Sequence, residues 1–191
     1  HLLALMLDTD PSLKPMHFCS DCGQAVSLVV PADDNRLRHV CTDCGAIHYQ
    51  NPKLVVGSIP FWRPERQVLL CKRAIQPRRG YWTLPAGFME NNETTEEAAQ
   101  RETIEEAGAR VELLGLFAML NVPHVHQVHL FYRAHLLDLD FSAGPESLEC
   151  RLFGESEIPW QDLAFPTVSH TLQRFFADLN RLLEGQPVAL H

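Results

Sequence analysis

The side chains best suited to chemistry are the glutamates between residues 87 and 109, which read GFMENNETTEEAAQRETIEEAGA. An α-helix turns by about 100° per residue, so Glu102, Glu105 and Glu106 would share one face within an arc of about 100°. Like charges at these spacings repel one another and destabilise a helix. A divalent cation bound by carboxylate oxygens would offset that repulsion. The spacing therefore predicts a site for a metal ion on one helix face.

The residues around these glutamates predict the helix that must position them. Thr94 and Glu97 have the spacing of a capping box, so we expect the helix to begin there. Gly108 suits the left-handed conformation that follows a helix end. Arg101 precedes Glu105 by four residues, which allows an ion pair on the helix surface. Small residues on another side would pack closely against a sheet, namely Ala99, Thr103 and Ala107.

A run of charged residues is most often a solvated helix face, and composition alone leaves that alternative open. The spacing is more specific, because it matches the pattern G-x5-E-x7-R-E-U-x-E-E-x-G-U at every charged and glycine position. This pattern is the Nudix box, so the stretch resembles Nudix hydrolases. The seven matching positions are Gly87, Glu93, Arg101, Glu102, Glu105, Glu106 and Gly108. The two apolar positions depart from the pattern, since they hold Thr103 and Ala109.

Four cysteines ahead of this stretch form a second candidate site. Cys19-x2-Cys22 and Cys41-x2-Cys44 are separated by 18 residues, a spacing typical of four-cysteine Zn²⁺ sites. Such a site leaves no open coordination position, so its role is structural. Two disulfides are the alternative, and the absence of a visible secretory signal disfavours it. Cys71 is predicted to be a core residue, because it lies in an apolar, strand-like run.

Composition limits the kinds of partner. The formal net charge is −8 and the pI is about 5.6, which disfavours non-specific binding to nucleic acid. No apolar run approaches the roughly 20 residues that a membrane-spanning helix needs. The segment 1–15 lacks a basic region and an evident cleavage site, so we exclude it from the fold prediction and treat Met16 as a candidate start. A small phosphorylated substrate is not excluded, because a bound metal can reverse the local charge. We expect a cytoplasmic protein without nucleic-acid or membrane partners.

Turn residues and apolar periodicity divide the chain into a zinc ribbon at residues 16–50 and a larger domain at residues 51–186. Strands of the larger domain are expected at residues 54–61, 67–72, 111–120, 127–136 and 152–153. Residues 76–81 and 141–145 are expected to be loops. Ser169 is a candidate cap for a last helix, whose apolar stripe includes Leu172, Phe175, Phe176 and Leu179.

The ribbon and the box together make residues 18–183 similar to zinc-ribbon Nudix hydrolases. Landmarks outside the box resemble most the branch that hydrolyses FAD and ADP-ribose, including the plastid enzymes of plants. These landmarks are FC at 18–19, HYQNP at 48–52, LCKR at 70–73, GYWTLPAG at 80–87 and GPESLECR at 144–151. The branch of NADH pyrophosphatases and RNA-decapping enzymes also carries a ribbon. Its SQPWPFPxS signature is absent here, since residues 120–126 read LNVPHVH.

This resemblance implies an α/β fold, the Nudix α/β/α sandwich around a mixed sheet, preceded by a small zinc ribbon. It also implies a pyrophosphohydrolase that acts on phosphorus-containing anhydrides with Mg²⁺ or Mn²⁺, together with a structural Zn²⁺ and a homodimer. We expect cleavage of ADP-ribose and FAD with release of AMP. An NADH pyrophosphatase or RNA NAD-decapping hydrolase is one alternative. A nucleic-acid-binding or regulatory zinc-ribbon protein with a degenerate box is another.

Individual residues receive expected roles on the same basis. The metal ligands are expected to be Glu102, Glu105 and Glu106, with the carbonyl of Gly87 as an addition; Glu93 and Arg101 would brace the loop and helix. Glu149 is the first candidate for the general base, followed by Glu146 and then by a box glutamate such as Glu105 or Glu106. Arg73 and Arg78 are candidate phosphate contacts, with surface solvation as the alternative for Arg78. Trp82 and Phe88 are candidates for stacking on adenine or flavin, with core packing as the alternative for Trp82.

Overall fold

The computed structural model describes residues 15–183, which form two compact units with their boundary between Pro52 and Lys53. The four cysteines belong to the first unit and the glutamate-rich stretch belongs to the second. The segment 1–14 and the last residues expected for the larger domain, 184–186, lie outside the described range. Among the described residues, neither helix combines the length and the apolar character needed to cross a membrane.

The N-terminal unit contains a small antiparallel sheet in the order β1-β2-β3, with strands Val26–Val29, Arg38–Cys41 and Ile47–His48. A glycine follows each pair of cysteines, and both Gly23 and Gly45 have a φ of 76°. Side chains strain the backbone in this left-handed region, so glycine is the residue that permits these tight turns. The turns return the chain to the sheet, where the N–H of Cys41 donates to the carbonyl of Ala46 over 2.9 Å.

The larger unit is built on a mixed sheet of seven strands. Five of them follow the order β10-β5-β4-β9-β8, with β6 beside β5 and β7 beside β4. The β4 and β9 strands are parallel, and the other pairs are antiparallel. The bounds are Lys53–Trp62 for β4, Gln67–Arg73 for β5, Trp82–Thr83 for β6, Ala86–Phe88 for β7, Val111–Val122 for β8, Gln127–Leu136 for β9 and Ser147–Phe153 for β10.

Two helices cover opposite faces of this sheet, α1 at Thr95–Ala107 and α2 at Pro166–Leu183. Residues of β4 alternate between the faces, as strand geometry requires. Val56 packs in one buried cluster with Ala98 of α1. Ile59 packs in another cluster with Leu172 of α2. The arrangement is the α/β/α sandwich around a mixed sheet that the resemblance implied.

The helix that carries the glutamates is confirmed. The hydroxyl of Thr94 accepts from the N–H of Glu97 over 3.1 Å, and the carboxylate of Glu97 accepts from the N–H of Thr94 over 2.7 Å. Gly108 ends the helix in a left-handed conformation with a φ of 58°. Both ends of α1 are therefore set by local interactions that the sequence displays.

Two expectations about other elements were wrong. Ser169 is not a helix cap, because α2 already begins at Pro166. Proline suits a first helical turn, where its missing N–H has no intrahelical partner in any case. The strand expected at residues 152–153 is longer, since β10 begins at Ser147. A register shift between Ser147 and Glu149 interrupts the regular alternation that would have revealed its first half.

A buried pair of hydroxyl groups joins α1 to β4. Ser58 and Thr103 are both fully buried, and their hydroxyl oxygens lie 2.6 Å apart. Thr103 donates its proton to the carbonyl of Ala99 over 2.6 Å. Ser58 is therefore the donor to Thr103, and both hydroxyl groups are paired. This explains how Thr103 occupies a position where the box pattern has an apolar residue.

Candidate functional site

The four cysteines of the ribbon meet in one cluster. Their Sγ atoms all lie within 4.8 Å of one another, with 3.8 Å between Cys19 and Cys44 and 3.4 Å between Cys22 and Cys41. Four sulfur ligands at about 2.3 Å from a tetrahedral Zn²⁺ would be separated by about 3.8 Å, so the cluster fits this ion. A disulfide requires sulfur atoms about 2.05 Å apart. All four thiols are free, and the disulfide alternative is wrong.

Neighbouring donors favour the thiolate form of Cys41. The backbone N–H groups of Cys44 and Asp43 both donate to Cys41 Sγ over 3.4 Å. These two hydrogen bonds lower the pKa of the Cys41 thiol to about 6. The N–H of Asp21 donates to Cys19 Sγ over 3.4 Å. Because thiolate is the form that binds metal, the two hydrogen bonds to Cys41 prepare this side chain as a ligand.

In the larger unit, Arg101 ties the loop before α1 to the helix. Its Nε and Nη2 donate to the two carboxylate oxygens of Glu93 over 2.9 and 2.7 Å, and Nη2 also donates to the Phe88 carbonyl. The hydrogen bonds from Arg101 lower the pKa of Glu93 to about 2. Nη1 donates to Glu102 over 2.7 Å and to Glu105 over 3.0 Å. One guanidinium therefore holds the loop in place and offsets repulsion between two box carboxylates.

Gly87 and Glu102 approach each other closely. The β7 strand pairs Gly87 with Val56 of β4. A Cβ built on Gly87 would overlap the carboxylate of Glu102, so a glycine is required for this contact. Burial raises the pKa of Glu102, against the opposing effect of Arg101. Two of the expected metal ligands, the Glu102 carboxylate and the Gly87 backbone, are thus neighbours.

Glu106 is the carboxylate with the strongest shift in pKa. Its side chain is buried, and its Oε2 accepts from the N–H of Ala86 over 3.2 Å. Burial raises the pKa of Glu106 to about 8, and the charges of Glu102 and Glu146 act in the same direction. The Ala86 N–H and the charge of Arg73 oppose this increase. A cation beside Glu106 would favour its ionised form.

The loop before β10 rests on the C-terminal end of α1. The N–H of Gly144 donates to the Glu106 carbonyl over 3.0 Å, and the N–H of Ser142 donates to the Ala107 carbonyl over 2.9 Å. A Cβ at Gly144 would overlap the carbonyl oxygen of Glu105. This close contact anchors the GPE segment at residues 144–146 against the turn of α1 that carries the last two box glutamates.

The same contact changes the order of the two candidate bases. Glu146 follows Gly144 by two residues, and Gly144 contacts the Glu106 carbonyl; the charge of Glu146 also raises the pKa of both Glu102 and Glu106. Glu149 is exposed on β10 opposite Lys72, and its charge is not among the main influences on either carboxylate. The geometry therefore favours Glu146 over Glu149, the reverse of the order expected from the sequence.

The two arginines expected to contact phosphate differ in their surroundings. Arg73 ends β5, and its Nε donates to the carbonyl of Pro77 over 2.8 Å. Arg73 pairs with Ser147 of β10, next to Glu146, and its charge lowers the pKa of Glu106. Arg78 is exposed in the following loop, with its guanidinium 5.3 Å from the ring centre of Tyr81. Arg73 thus lies beside the segment that carries Glu146, whereas Arg78 is exposed in the loop.

The two aromatic candidates for substrate stacking differ in exposure. Trp82 is 7% exposed and packs edge-on against Phe153, with ring centres 4.9 Å apart. We therefore assign Trp82 to the core and no longer to substrate contact. Phe88 is 47% exposed, and Lys53 Nζ lies 4.9 Å from its ring centre. Phe88 thus keeps an open ring that a planar ligand can reach.

The acidic cluster has the donor chemistry of a divalent cation site. Its side chains offer only carboxylate oxygens, which are the ligands that Mg²⁺ and Mn²⁺ prefer. Over residues 15–183, the ribbon cysteines are the one set of three or more potential ligands with atoms within 4.8 Å of one another. The box carboxylates are more widely spread, with Glu102 and Glu106 buried and Glu105 at the rim. They can hold a cation and leave room for phosphate oxygens to complete its coordination.

Three contributors to this site escaped the sequence analysis. One is the Ala86 N–H, which carries no side-chain signal. Another is Gly144, for which the GPE segment was an available signal, because glycine often marks close backbone approach. The third is Cys150, whose Sγ lies 3.5 Å from Cys71 Sγ and 3.4 Å from the Glu106 carbonyl oxygen. The prediction of Cys71 as a core residue is confirmed by its exposure of 1%.

Comparison with protein families assigns both units. The family model of the NUDIX domain matches residues 51–176. The family model described as Nudix N-terminal, a zinc ribbon, matches residues 17–50. The two matched segments contain the glutamate cluster and the cysteine cluster, respectively.

Comparison with curated proteins finds similarity to the NAD-capped RNA hydrolase NudC of several bacteria. The protein of Haemophilus influenzae (strain PittGG) is 34% identical over 119 residues, which cover 61% of this chain and 43% of that protein. The protein of Chromobacterium violaceum is 30% identical over 175 residues, covering 88% of this chain and 61% of that protein. The matches thus span about two fifths to three fifths of the length of these relatives.

Among solved structures, a NUDIX hydrolase from Nitrosomonas europaea is similar over nearly its whole length. It is 56% identical, with a TM-score of 0.84, and the match covers 92% of this chain and 97% of that one. The NUDIX domain of NrtR from Shewanella oneidensis, solved with ADP ribose, is 22% identical with a TM-score of 0.56 over 70% of this chain. The second similarity concerns the fold alone.

Proposed function

The chain belongs to the NUDIX family and carries the family's N-terminal zinc ribbon, and from this premise we propose that it hydrolyses the diphosphate bond of a nucleoside diphosphate linked to a second group. The observation that carries the proposal is the contact between the loop that carries Glu146 and the turn of α1 that carries the buried Glu106, where the N–H of Gly144 donates to the Glu106 carbonyl. Arg73 lies beside the same loop, since the N–H of the next residue, Ala74, donates to the Glu146 carbonyl over 2.7 Å. Carboxylates that attract cations, next to an arginine that attracts phosphate, are the combination that diphosphate hydrolysis needs.

Residues of the chain take distinct parts in the proposed reaction. Glu102, Glu106 and the Gly87 carbonyl hold Mg²⁺ or Mn²⁺, with Glu105 at the rim, and the bound cation supplies charge neutralisation and a more acidic water. Arg73 binds an oxygen of the diphosphate. The hydrogen bonds between Arg101 and Glu93 hold the loop before α1 in place against the helix.

Glu146 is proposed as the general base. It takes a proton from the attacking water as the water oxygen bonds to phosphorus. The bond from that phosphorus to the bridging oxygen breaks, and the second phosphate leaves with the bridging oxygen. One water is consumed, and two monophosphates are formed.

ADP-ribose and FAD are the proposed substrates, supported by the landmarks outside the box that resemble enzymes acting on them. Hydrolysis would release AMP together with ribose 5-phosphate or FMN. The test is chromatographic detection of AMP after incubation of the purified protein with each compound, with Mg²⁺ and with Mn²⁺. A protein that releases no AMP from either compound with either metal does not have this activity.

Hydrolysis of NAD-capped RNA is a second candidate function, because the curated relatives carry that name. Against it stand the net charge of −8 and the sequence LNVPHVH at residues 120–126, which departs from the signature of that branch. Parallel assays with NAD-capped RNA, NADH, ADP-ribose and FAD at equal concentration separate the candidates. A higher kcat/KM for NAD-capped RNA than for the free dinucleotides would place nucleic acid among the substrates, contrary to our expectation of no nucleic-acid partner.

A homodimer is part of the proposal and is implied by the family resemblance alone. Light scattering coupled to size-exclusion chromatography measures the mass in solution directly. A mass near twice 21.6 kDa would support the dimer, whereas a mass near 21.6 kDa would exclude it.

A further inference from the structure

A cavity of about 440 Å³ opens between the loop at residues 76–81 and the beginning of α2. Its volume lies within the range of about 300–1,000 Å³ that is typical of small-molecule sites. The side of α2 that faces it carries Pro166, Ser169, His170 and Gln173, which recur at the spacing of one helix face. The cavity is thus formed by one face of a regular helix and one loop, and the box carboxylates do not line it.

Arg73 connects this cavity with the acidic cluster. Its Nε donates to the carbonyl of Pro77, in the loop that forms one wall. Its guanidinium lies 5.1 Å from the ring centre of Phe165, which lines the cavity. Arg73 also pairs with Ser147 of β10, and the N–H of the next residue, Ala74, donates to the carbonyl of Glu146 over 2.7 Å. A diphosphate bound by Arg73 would therefore have the cation site on one side and the cavity on the other.

The side chains of the cavity suit a flat, polar ring. Tyr81 and Phe165 offer aromatic surface, on which nucleobases stack. Gln161 and Gln173 each offer an amide, which can pair with the N6 and N7 edge of adenine through two hydrogen bonds. Among the described residues that line the cavity, Arg78 is the one with a permanent charge. A phosphate group would require more positive charge than this, whereas a neutral base does not.

We propose that this cavity binds the adenine of the substrate, while Arg73 holds the diphosphate between the cavity and the carboxylates. The site would take adenosine 5′-phosphates as a class and would read the base through Gln161 and Gln173. The inference deepens the proposed function, because it rests on that function for the identity of the bound nucleotide. It also assigns a specificity role to residues far from the box in sequence.

Direct binding of AMP tests the cavity without requiring any turnover. Isothermal titration of the full-length chain with AMP, with its Zn²⁺ retained and without added Mg²⁺ or Mn²⁺, should give a measurable Kd. Ser169→Trp, which fills the cavity from the α2 side, should weaken AMP binding at least tenfold. Gln173→Ala should weaken it several-fold and is an exposed substitution that leaves the core untouched. Arg174→Ala changes the adjacent exposed residue, which does not line the cavity, and should bind AMP as the natural sequence does.

A second titration with UMP tests the choice of base. UMP carries the same phosphate and ribose, so the proposal requires it to bind at least tenfold more weakly than AMP. Equal binding of AMP and UMP, unchanged binding in both cavity variants, or no binding of AMP at all would each overturn the inference. Failure of the proposed function would be a separate result. If AMP binds, the two cavity variants weaken that binding as predicted, and the protein still hydrolyses neither substrate, the assignment of the cavity stands and the proposed activity is wrong.

Discussion

Burial of the Glu106 carboxylate lowers stability and also prepares this side chain to bind a cation. Its carboxylate is buried near Glu102 and Glu146, which disfavours its charged form. The N–H of Ala86 and the charge of Arg73 recover part of that cost. Burial of an ionisable group without a full set of partners lowers stability, and it is common where a group serves chemistry. The side chain is therefore prepared to accept a cation in place of a proton.

This preparation predicts a pH-dependent affinity for metal. The pKa of Glu106 is raised from 4.5 to about 8, so between these values the metal-free native protein retains a proton that the unfolded chain has lost. Stability of the metal-free protein should consequently fall as the pH rises through this window. Because Mn²⁺ must displace the proton, its affinity should increase by about tenfold per pH unit between pH 6 and about pH 8.

Isothermal titration with Mn²⁺ in buffers of different ionisation enthalpy measures the released proton. Glu106→Gln is the matched control, since an amide oxygen can still accept from Ala86 but has no proton to release. We expect that variant to keep its fold, lose the pH dependence and lose at least about 100-fold in kcat. A pH-independent affinity in the natural sequence would contradict the role given to Glu106.

The choice of general base leads to a second prediction at this scale. Glu146→Gln should lower kcat by about 100-fold or more and leave the KM for ADP-ribose within a small factor, because a base acts mainly in the transition state. Glu149→Gln is the matched substitution on an exposed neighbour and should retain nearly full kcat. The reverse pattern would restore the order expected from the sequence.

The sequence predicts single residues well where a role requires a residue type at a fixed distance along the chain. The cap at Thr94, the pairing of Arg101 with Glu105 and the left-handed Gly108 are such cases. It performs less well where the chain folds back from afar. Glu146 approaches Glu106 across some 40 positions through the contact of Gly144, and no local pattern encodes that approach.

At the scale of elements, α1 is held at both ends. Its first turn is capped by its own residues, and its last carbonyl groups accept from the N–H groups of Ser142 and Gly144. The loop before β10 thus acts as a C-terminal cap and at the same time delivers Glu146. The position of the proposed base depends on how closely this loop approaches the helix.

Gly144→Ala should separate loop and helix, because its Cβ would overlap the Glu105 carbonyl oxygen. We expect a loss of about 1–3 kcal/mol in the free energy of unfolding, measured by urea titration. A displacement of about 1 Å at the base can cost about 100-fold in kcat. Ala143→Ser changes the exposed neighbouring residue and should leave both quantities unchanged. Equal kcat in both variants would show that the loop does not position the reaction.

Long strands were predictable from the sequence, whereas the shortest strands were not. The strand expected at residues 127–136, which is ten residues long, agrees with β9 at both ends. The start of α2 was predicted four residues too late, because a cap at Ser169 would place the first helical residue at position 170 and Pro166 gives a weaker sequence signal. The two short strands β6 and β7 were not foreseen, as two or three residues do not establish a period.

The whole molecule combines two units with separate sources of stability. The larger unit has buried apolar clusters on both faces of its sheet. In the ribbon, most described side chains are at least partly exposed, and the cysteines Cys19 and Cys41 are among the few that are buried. A small unit of this kind depends on its metal for folding.

Metal analysis should therefore find about one Zn²⁺ per chain, and Cys41→Ser should reduce that content strongly. Cys150→Ser, which lies outside the cluster, should keep the full content and serves as the control. Inductively coupled plasma mass spectrometry measures both variants. Protein free of Zn²⁺ with two disulfides would contradict the assignment of the ribbon.

Because Ser58 and Thr103 form a buried hydrogen-bonded pair, substitutions at these two positions are expected to occur in a preferred order during evolution. Replacing Thr103 first by valine would leave the Ser58 hydroxyl unpaired in the interior, at a cost of about 1–3 kcal/mol. Replacing Ser58 first by alanine leaves Thr103 still bonded to the Ala99 carbonyl, so that intermediate loses little. A lineage that replaces the polar pair by an apolar pair is therefore expected to substitute Ser58 of β4 before Thr103 of α1. Ancestral sequences should contain alanine with threonine far more often than serine with valine.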